Sequence, residues 1–218
     1  AREEFISSPH LDDMQCAFAT LKGFLKGYHE KSVNVYACFD NEEVGSVTKQ
    51  GAGSTFLYDV LRRINSGLGK TEEDYYRAVS ESFMVSADNA HAVHPNHPQK
   101  TDVENCVYMN EGIVIKSHAG QKYTSDAVSI AIFRNICKQA GVPVQFFANR
   151  SDEAGGSTLG NISSAQVSLN AVDIGLPQLA MHSAYETAGI KDTEYMVQAM
   201  KTFFESHICM ENGQIIWT

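Results

Sequence analysis

The chain has 218 residues, of which 43% are hydrophobic and 20% charged, which is enough for one domain with a substantial core. Its formal net charge of -9 disfavours nucleic acid and anionic membranes as partners, because binding either surface requires clustered Lys and Arg. No apolar run reaches the length of a membrane span, so the sequence predicts a soluble protein with no membrane partner.

The cysteines suggest a compartment rather than a site. There are five of them, widely scattered and without the CxxC spacing of thiolate zinc sites or redox pairs. We therefore expect a reducing environment and a cytoplasmic location. Three cysteines lie among apolar neighbours and are expected to be buried: Cys16, Cys38 and Cys137.

Taken in chain order, helical patterns alternate with short apolar runs, which is an α/β rhythm. A first helix is predicted from near Asp12 to around Gly27, because apolar residues recur there every three or four positions. A strand over residues 33–39 is predicted by the alternation of Val33, Val35, Ala37 and Phe39 with Asn34, Tyr36 and Cys38. Further strands are predicted at 83–87, 113–117, 144–148 and 171–174, and further helices near 55–64, 72–82, 127–140 and 194–205.

Acidic residues follow two of these predicted strands. Residues 40–43 (DNEE) come after the strand that ends at Phe39, and Asp88 comes after the strand that ends at Ala87. Ligands of open α/β sheets collect at the carboxyl ends of strands. These acids are therefore candidates for a functional site.

Four places hold side chains that suit a metal: Asp12 with Asp13, Glu42 with Glu43, Asp88, and His182. Each has an ordinary structural explanation, such as a helix start, a solvated turn or a core histidine. A two-zinc peptidase, however, needs a bridging carboxylate, further carboxylate and imidazole ligands, and a separate carboxylate base. Adjacent glutamates in an extended segment would point in opposite directions, so that one reaches a metal and the other faces substrate.

Four stretches resemble signatures of the aspartyl aminopeptidases, which are cocatalytic zinc exopeptidases. They are residues 6–13 (ISSPHLDD), 40–46 (DNEEVGS), 86–96 (SADNAHAVHPN) and 178–183 (QLAMHS), and the resemblance spans nearly the whole chain in order. It implies a mixed β-sheet flanked by helices, in the phosphorylase/hydrolase-like sandwich of zinc exopeptidases.

The resemblance also implies a role for each candidate. Asp12 would bridge two zinc ions, Glu43 and His182 would complete one of them, and Asp88 would belong to the other. Glu42 would be the general base that takes a proton from the attacking water and returns it to the leaving amine. The implied substrate is a peptide with an acidic N-terminal residue.

Specificity for Asp or Glu requires a cation at the side-chain pocket. Lys116, near the end of the strand at 113–117, matches a lysine of the family, and Tyr123 lies beside it in the expected pocket. His94 is a further candidate for contact with substrate. A solvated strand-end lysine and a structural histidine are the alternative interpretations.

The sequence departs from the family in one respect. The family carries another histidine ligand in a His-x-Asp motif upstream of the first signature, beyond an inserted dimerisation domain, and neither is present. We therefore expect residues 1–218 to be the C-terminal portion of the catalytic domain, incomplete at its N-terminal side.

Two expectations follow from that departure: one zinc would bind well and the second weakly, and hydrolysis by this chain alone would be poor or absent. The resemblance itself implies a homo-oligomer for the full-length protein. Two other functions stay open: a catalytically impaired fragment or peptidase-like interaction module, and a related dinuclear aminopeptidase for neutral N-termini.

Overall fold

The computed structural model describes residues 3–211 and 214–217. Its helices are α1 (Leu11–Lys26), α2 (Glu42–Gly45), α3 (Phe56–Gly67), α4 (Glu72–Glu81), α5 (Ala127–Ala140), α6 (Leu159–Ser164) and α7 (Ile190–Phe204), with one 3₁₀ turn at Pro98–Lys100. Its strands are β1 (Phe5–Ser8), β2 (Phe83–Ala87), β3 (Ala90–His91), β4 (Ile113–Ser117), β5 (Val144–Ala148), β6 (Asn170–Gly175), β7 (Pro177–Leu179), β8 (Glu186–Gly189), β9 (Ile208–Glu211) and β10 (Gln214–Trp217).

The strands form two mixed four-stranded sheets and a hairpin. The first sheet has the order β2-β6-β4-β5, in which β2 runs parallel to β6, β4 antiparallel to β6, and β5 parallel to β4. The second has the order β1-β8-β7-β3, in which only β3 and β7 are parallel. Strands β9 and β10 pair with each other. The expected mixed α/β architecture with flanking helices is confirmed, with two sheets in place of one.

The two sheets are joined where β2 leads into β3 and β6 leads into β7. Backbone hydrogen bonds continue through this bend, from Asp88 N to Ile174 O at 3.1 Å and from Ala90 N to Leu176 O at 2.8 Å. The β2–β3 segment and the β6–β7 segment therefore bend together and stay hydrogen-bonded to each other. The bend fixes Asp88 at the carboxyl end of β2.

The core lies between the first sheet and helices α1, α5 and α7. Side chains from the sheet and from the helices are fully buried there, among them Ile113, Ile115, Ile174, Phe133 and Met196. Helix α1 packs closely on α7, because a Cβ at Gly23 would lie 2.5 Å from Met200 Cβ. This contact anchors α1, whose first turn carries Asp12 and Asp13.

Regular elements with buried apolar runs agree best with the sequence-based expectation. Strands β2, β4 and β5 have the expected bounds, and β6 extends the expected 171–174 strand by one residue at each end. Helix α5 also has the expected bounds, and its ends carry strong signals: a capping box between Asp126 and Ser129, and a left-handed Gly141 at its C-cap. The short strands of the second sheet were not expected.

The predicted strand at residues 33–39 is wrong. This segment pairs with no strand in the described part of the chain. Val33 is 68% exposed, whereas Asn34 donates to Phe204 O at 2.9 Å and Tyr36 Oη donates to Ala17 O at 3.0 Å. From Val33 to Tyr36 the polar side chains thus face the protein and the valines are exposed, whereas Phe39 is half-buried. Cys38, expected to be buried, is exposed.

The apolar stripe that predicts α1 also faces away from the core. Its exposed members are Met14, Phe18, Leu21 and Leu25, while the buried face carries smaller residues such as Cys16, Ala19 and Gly23. The helix prediction is confirmed, but not the face. None of the described helices has the length and hydropathy needed to cross a membrane.

Candidate metal centre

Asp12 enters the site from the first turn of α1. Its backbone angles (φ −83°, ψ 113°) are not helical, and neither are those of Asp13, so regular helix starts only after these two acids. The Asp12 side chain is 4% exposed. The chain thus delivers a buried carboxylate from an irregular helix start.

His182 comes from the turn between β7 and β8. The turn contains two residues with left-handed backbone, Ala180 (φ 58°) and His182 (φ 66°). The His182 ring is 65% exposed, and its Nε2 lies 3.2 Å from Asp12 Oδ2 and 3.0 Å from Glu43 Oε2. An antiparallel strand pair therefore holds the imidazole over two carboxylates.

Glu42 and Glu43 open the short helix α2, which follows a left-handed Asn41 (φ 62°). They were expected on an extended segment, with side chains on opposite faces. On a helical turn, consecutive side chains diverge by about 100°. Glu43 reaches His182, and Glu42 occupies a different, half-buried environment beside it.

Asp88 lies at the bend between the sheets and is in contact with Lys116 of β4. Lys116 Nζ donates to Asn89 O at 2.6 Å and lies 3.4 Å from Asp88 Oδ2. Burial lowers the pKa of Lys116, but the charges of Asp88, Tyr123 and Asp173 outweigh it, so the pKa is raised above its usual value. The lysine stays charged and neutralises part of the acidic group.

Two overlapping groups of ligand atoms result. Asp12, Glu43 and His182 form one, and Asp12, Asp13 and Asp88 form the other; within each, the ligand atoms lie within 4.8 Å of one another. Asp12 belongs to both groups, as its expected bridging role requires. The sequence did not assign Asp13 a role, although its position next to Asp12 was a usable signal.

The electrostatic surroundings of the acids favour a bound cation. Burial raises the pKa of Asp12 to about 9, with the charge of Asp88 adding to the effect. Burial also raises the pKa of Asp13 well above its usual value, again with Asp88 adding. Asp12 Oδ1 and Asp13 Oδ1 are buried without a hydrogen-bond donor. Because buried charges need compensation, and carboxylates with an imidazole are zinc ligands, these residues fit a zinc ion.

Glu42 is set apart by its proton affinity. Burial raises its pKa to about 7, and the charges of Asp88 and Glu43 act in the same direction. A carboxylate that exchanges its proton near neutral pH suits a general base. A bound cation would lower this pKa, because a nearby positive charge favours the ionised form.

The three residues expected to bind substrate lie in different surroundings. Lys116 Nζ is 5.6 Å from the centre of the Tyr123 ring, and both side chains are buried. His94 is exposed; its Nδ1 accepts the N–H of Asn96, and its ring lies 5.1 Å from that of His97. Neither partner of His94 belongs to the acidic groups.

Glu186 is a buried residue of the site that the sequence did not reveal. Its Oε2 accepts the backbone N–H of Asp12 at 2.9 Å, and its Oε1 accepts that of His182 at 2.8 Å. A glutamate four residues after a candidate histidine was the available signal. Without the fold, nothing indicated that it reaches Asp12, 174 positions away.

Comparison with known proteins gives relatives that are named as aminopeptidases. A "Probable M18 family aminopeptidase 2" of Clostridium acetobutylicum is 50% identical over 201 residues, covering 92% of this chain and 46% of the relative. "Aspartyl aminopeptidase 1" of Schizosaccharomyces pombe is 39% identical over 220 residues, covering 98% of this chain and 46% of the relative. This chain therefore spans about half the length of these relatives.

A solved structure agrees with the sequence matches. The mApe1 dodecamer of S. cerevisiae superposes with a TM-score of 0.76 at 28% identity, covering 93% of this chain and 46% of the other. The model of the family described as "Aminopeptidase I zinc metalloprotease (M18)" matches residues 1–204. With nearly the whole chain matched, this protein belongs to the M18 family of zinc metalloproteases.

Proposed function

We propose that this chain forms the metal-binding part of a zinc-dependent aminopeptidase that removes acidic residues from peptide N-termini. The observation that carries the proposal is the convergence of Asp12, Glu43 and His182 within 4.8 Å, beside a second group that shares Asp12. Side chains from three separate segments meet there. The Asp12 side chain is 4% exposed, and a buried carboxylate requires a compensating charge or hydrogen bonds.

The two groups would hold two zinc ions unequally. Asp12, Glu43 and His182 supply two carboxylates and an imidazole, a ligand set found in catalytic zinc sites. The second group supplies Asp12 and Asp88, with Asp13 in reach, and contains no imidazole. We expect the first ion to bind more tightly, because zinc favours nitrogen ligands over an all-oxygen set.

Glu42 would act as the general base of the hydrolysis. When bound, zinc supplies Lewis acidity to the peptide carbonyl and to the attacking water. The Glu42 carboxylate accepts the proton of that water and returns it to the leaving amine. Its separation from the ligands supports this role, since Glu43 rather than Glu42 contacts His182.

Preference for acidic residues rests on Lys116, with Tyr123 beside it, and on the name of the S. pombe relative. The burial of Lys116 and its bond to Asn89 O equally support a role in holding Asp88. Lys116→Ala separates the two roles. Selective loss of turnover on acidic substrates indicates a pocket cation, whereas equal loss on acidic and neutral substrates indicates support of Asp88.

His94 is the third substrate-binding candidate, and His94→Ala in the same assay would test it.

The experiment that tests the proposal is release of Asp, Glu and Leu from chromogenic amides by the longest native form of the protein, before and after chelation. We expect release of Asp and Glu to exceed that of Leu, to vanish on chelation and to return with zinc. Chelator-insensitive release would overturn the metal mechanism. Preferential release of Leu would replace the acidic specificity with a neutral one.

We further propose that the native protein is a cytoplasmic homo-oligomer. The S. cerevisiae relative is described as a dodecamer, which supports self-assembly. Cys16, Cys38, Cys106 and Cys137 form no disulfide in the described part of the chain, which supports a reducing compartment. Light scattering of the native protein tests the assembly, and a monomer at micromolar concentration would contradict it.

A further inference from the structure

Glu186 is a buried carboxylate that contacts both ends of the first ligand group. It begins β8, pairs with Ser8 of β1, and is 2% exposed. Its two oxygens accept two backbone N–H groups, those of Asp12 (2.9 Å) and His182 (2.8 Å). The side chains of these same two residues lie 3.2 Å apart. One carboxylate thus touches the backbone of two candidate ligands.

Neither N–H has an acceptor in regular structure. Asp12 opens α1 with non-helical angles, and the first N–H groups of a helix have no intrahelical acceptor. His182 lies in a turn with left-handed backbone. The hydrogen bond from Asp12 N is buried and the one from His182 N is partly buried, and an N–H group removed from water without an acceptor is unfavourable. Glu186 satisfies both groups at once and ties the two segments together.

We propose that Glu186 is a positioning residue of the metal centre, which sets the spacing between Asp12 and His182 by holding their backbones. The inference rests on the metal centre of the proposed function. A carboxylate is suited to the task because both of its oxygens accept, and hydrogen bonds to a charged acceptor are short and strong. Outer partners of metal ligands typically contribute 10–100-fold to metal affinity.

Glu186→Gln is the informative substitution. Glutamine keeps the shape of the side chain, but its amide nitrogen donates and cannot accept. One of the two N–H groups therefore faces a donor, and either Asp12 or His182 moves. No ligand atom is removed, but one negative charge is lost near the metal centre. A shift of the ligands is therefore identified by the cobalt spectrum, which reports coordination geometry, together with the loss of affinity.

The structure offers a matched control in Asp192. This carboxylate is also buried and also accepts two backbone N–H groups, those of Asn110 (2.6 Å) and Gly112 (3.0 Å). Neither donor is a candidate ligand. Asp192→Asn thus disturbs the same kind of interaction without touching the metal centre.

The experiment measures the zinc dissociation constant of the longest native form, by competition with a chromophoric chelator, and the visible absorption of its cobalt-substituted form. For Glu186→Gln we expect affinity to fall roughly 10–100-fold and the cobalt spectrum to change. For Asp192→Asn we expect both to stay as in the unchanged protein. Amide hydrogen exchange of Asp12 and His182 in the metal-free, unchanged protein adds a measurement that needs no variant, and we expect protection of both.

Three results would overturn this inference and leave the proposed function standing. If the Glu186→Gln protein folds and keeps both its zinc affinity and its cobalt spectrum, Glu186 has no positioning role. An equal loss of zinc affinity in Asp192→Asn would show that the loss in Glu186→Gln comes from general destabilisation of the fold. Rapid exchange of either amide would exclude the bonds themselves, even where Glu186→Gln does not fold. If the unchanged protein binds no zinc, the proposed metal centre fails, and this inference fails with it.

Discussion

At the scale of single residues, adjacent glutamates have separate surroundings. Glu43 is 44% exposed at its side chain and lies 3.0 Å from His182 Nε2. Glu42 is half-buried, and its pKa is raised to about 7 by burial and by the charges of Asp88 and Glu43. The two residues therefore suit different tasks, one as a ligand and one as a base.

Glutamine substitutions at these two positions should have different effects. Glu42→Gln removes the proton acceptor but no ligand, so we expect turnover to fall by roughly 10²–10⁴-fold with zinc content unchanged. Glu43→Gln should lower zinc affinity. Turnover and metal content measured on both variants distinguish the base from the ligand. Full activity of Glu42→Gln would exclude it as the base.

Asp192 gives a prediction for pH. Burial raises its pKa from 3.8 to about 6, against the opposing effect of two backbone hydrogen bonds. Since the folded pKa is the higher one, its protonation stabilises the fold fully below pH 3.8, and that contribution is lost as the pH rises through about 6. A difference of about two pH units corresponds to roughly 3 kcal/mol.

Asp192→Asn cannot titrate, so it isolates this contribution. We expect the free energy of unfolding of the unchanged protein, minus that of the variant, to decrease by roughly 3 kcal/mol between about pH 4 and pH 7. Urea unfolding at several pH values measures this difference. A difference that stays constant with pH would show that Asp192 has an ordinary pKa.

At the scale of elements, the joint bend of β2–β3 and β6–β7 positions Asp88. Gly175 makes the bend possible, because a Cβ there would lie 2.1 Å from Asp88 O and 2.9 Å from Lys116 Cε. The first of these atoms is backbone and cannot rotate away. The absence of a side chain at position 175 therefore determines where a candidate ligand and its lysine lie.

Gly175→Ala should displace the bend and affect stability and the metal centre together. We expect a loss of at least about 1–3 kcal/mol in the free energy of unfolding, as for overpacked sites, together with weaker zinc binding. Gly67→Ala is the control, because a Cβ at Gly67 in α3 meets nothing within 4 Å. Thermal unfolding and zinc titration test both variants. A stable Gly175→Ala protein with normal affinity would contradict this role of the bend.

Periodicity predicted the elements that are buried and regular. Strands β2, β4 and β5 coincide with their expected bounds because their apolar runs supply the core. It failed at residues 33–39, where Asn34 and Tyr36 find backbone carbonyl acceptors on neighbouring elements and the valines face outward. It also missed β3, which has only two residues and so no detectable period.

The site residues also divide into those that could be selected from the sequence and those that could not. Asp12, Glu43 and His182 were selected from sequence, and the fold brings them together, while their roles as ligands remain a prediction. Glu186 was missed because its partners are backbone N–H groups, which no residue type reveals. The acid at position 13 was visible but lacked an assigned role until its proximity to Asp88 was known.

At the scale of the whole molecule, the candidate centre joins distant parts of the chain. Asp12 lies near the start of the described residues, Glu43 on α2, and His182 in the turn before β8. The unfolded chain therefore cannot present the three ligands together. Metal binding should be coupled to folding.

Zinc should accordingly stabilise the folded protein. At a free concentration of about 100 times the dissociation constant, binding adds roughly 2.7 kcal/mol to the free energy of unfolding. We expect a higher Tm with zinc than with chelator, and a smaller difference for His182→Ala. Calorimetry measures both. Equal Tm values with and without zinc in the unchanged protein would exclude tight binding to the folded state.

The position of the zinc ion can be measured by anomalous scattering at the zinc edge from crystals of the native protein. We expect a strong peak at about 2.0–2.2 Å from carboxylate oxygens of Asp12 and Glu43 and from Nε2 of His182. A weaker peak should lie beside Asp12 and Asp88. A zinc-loaded crystal with its strongest peak away from Asp12, Glu43 and His182 would show that these residues do not form the metal centre.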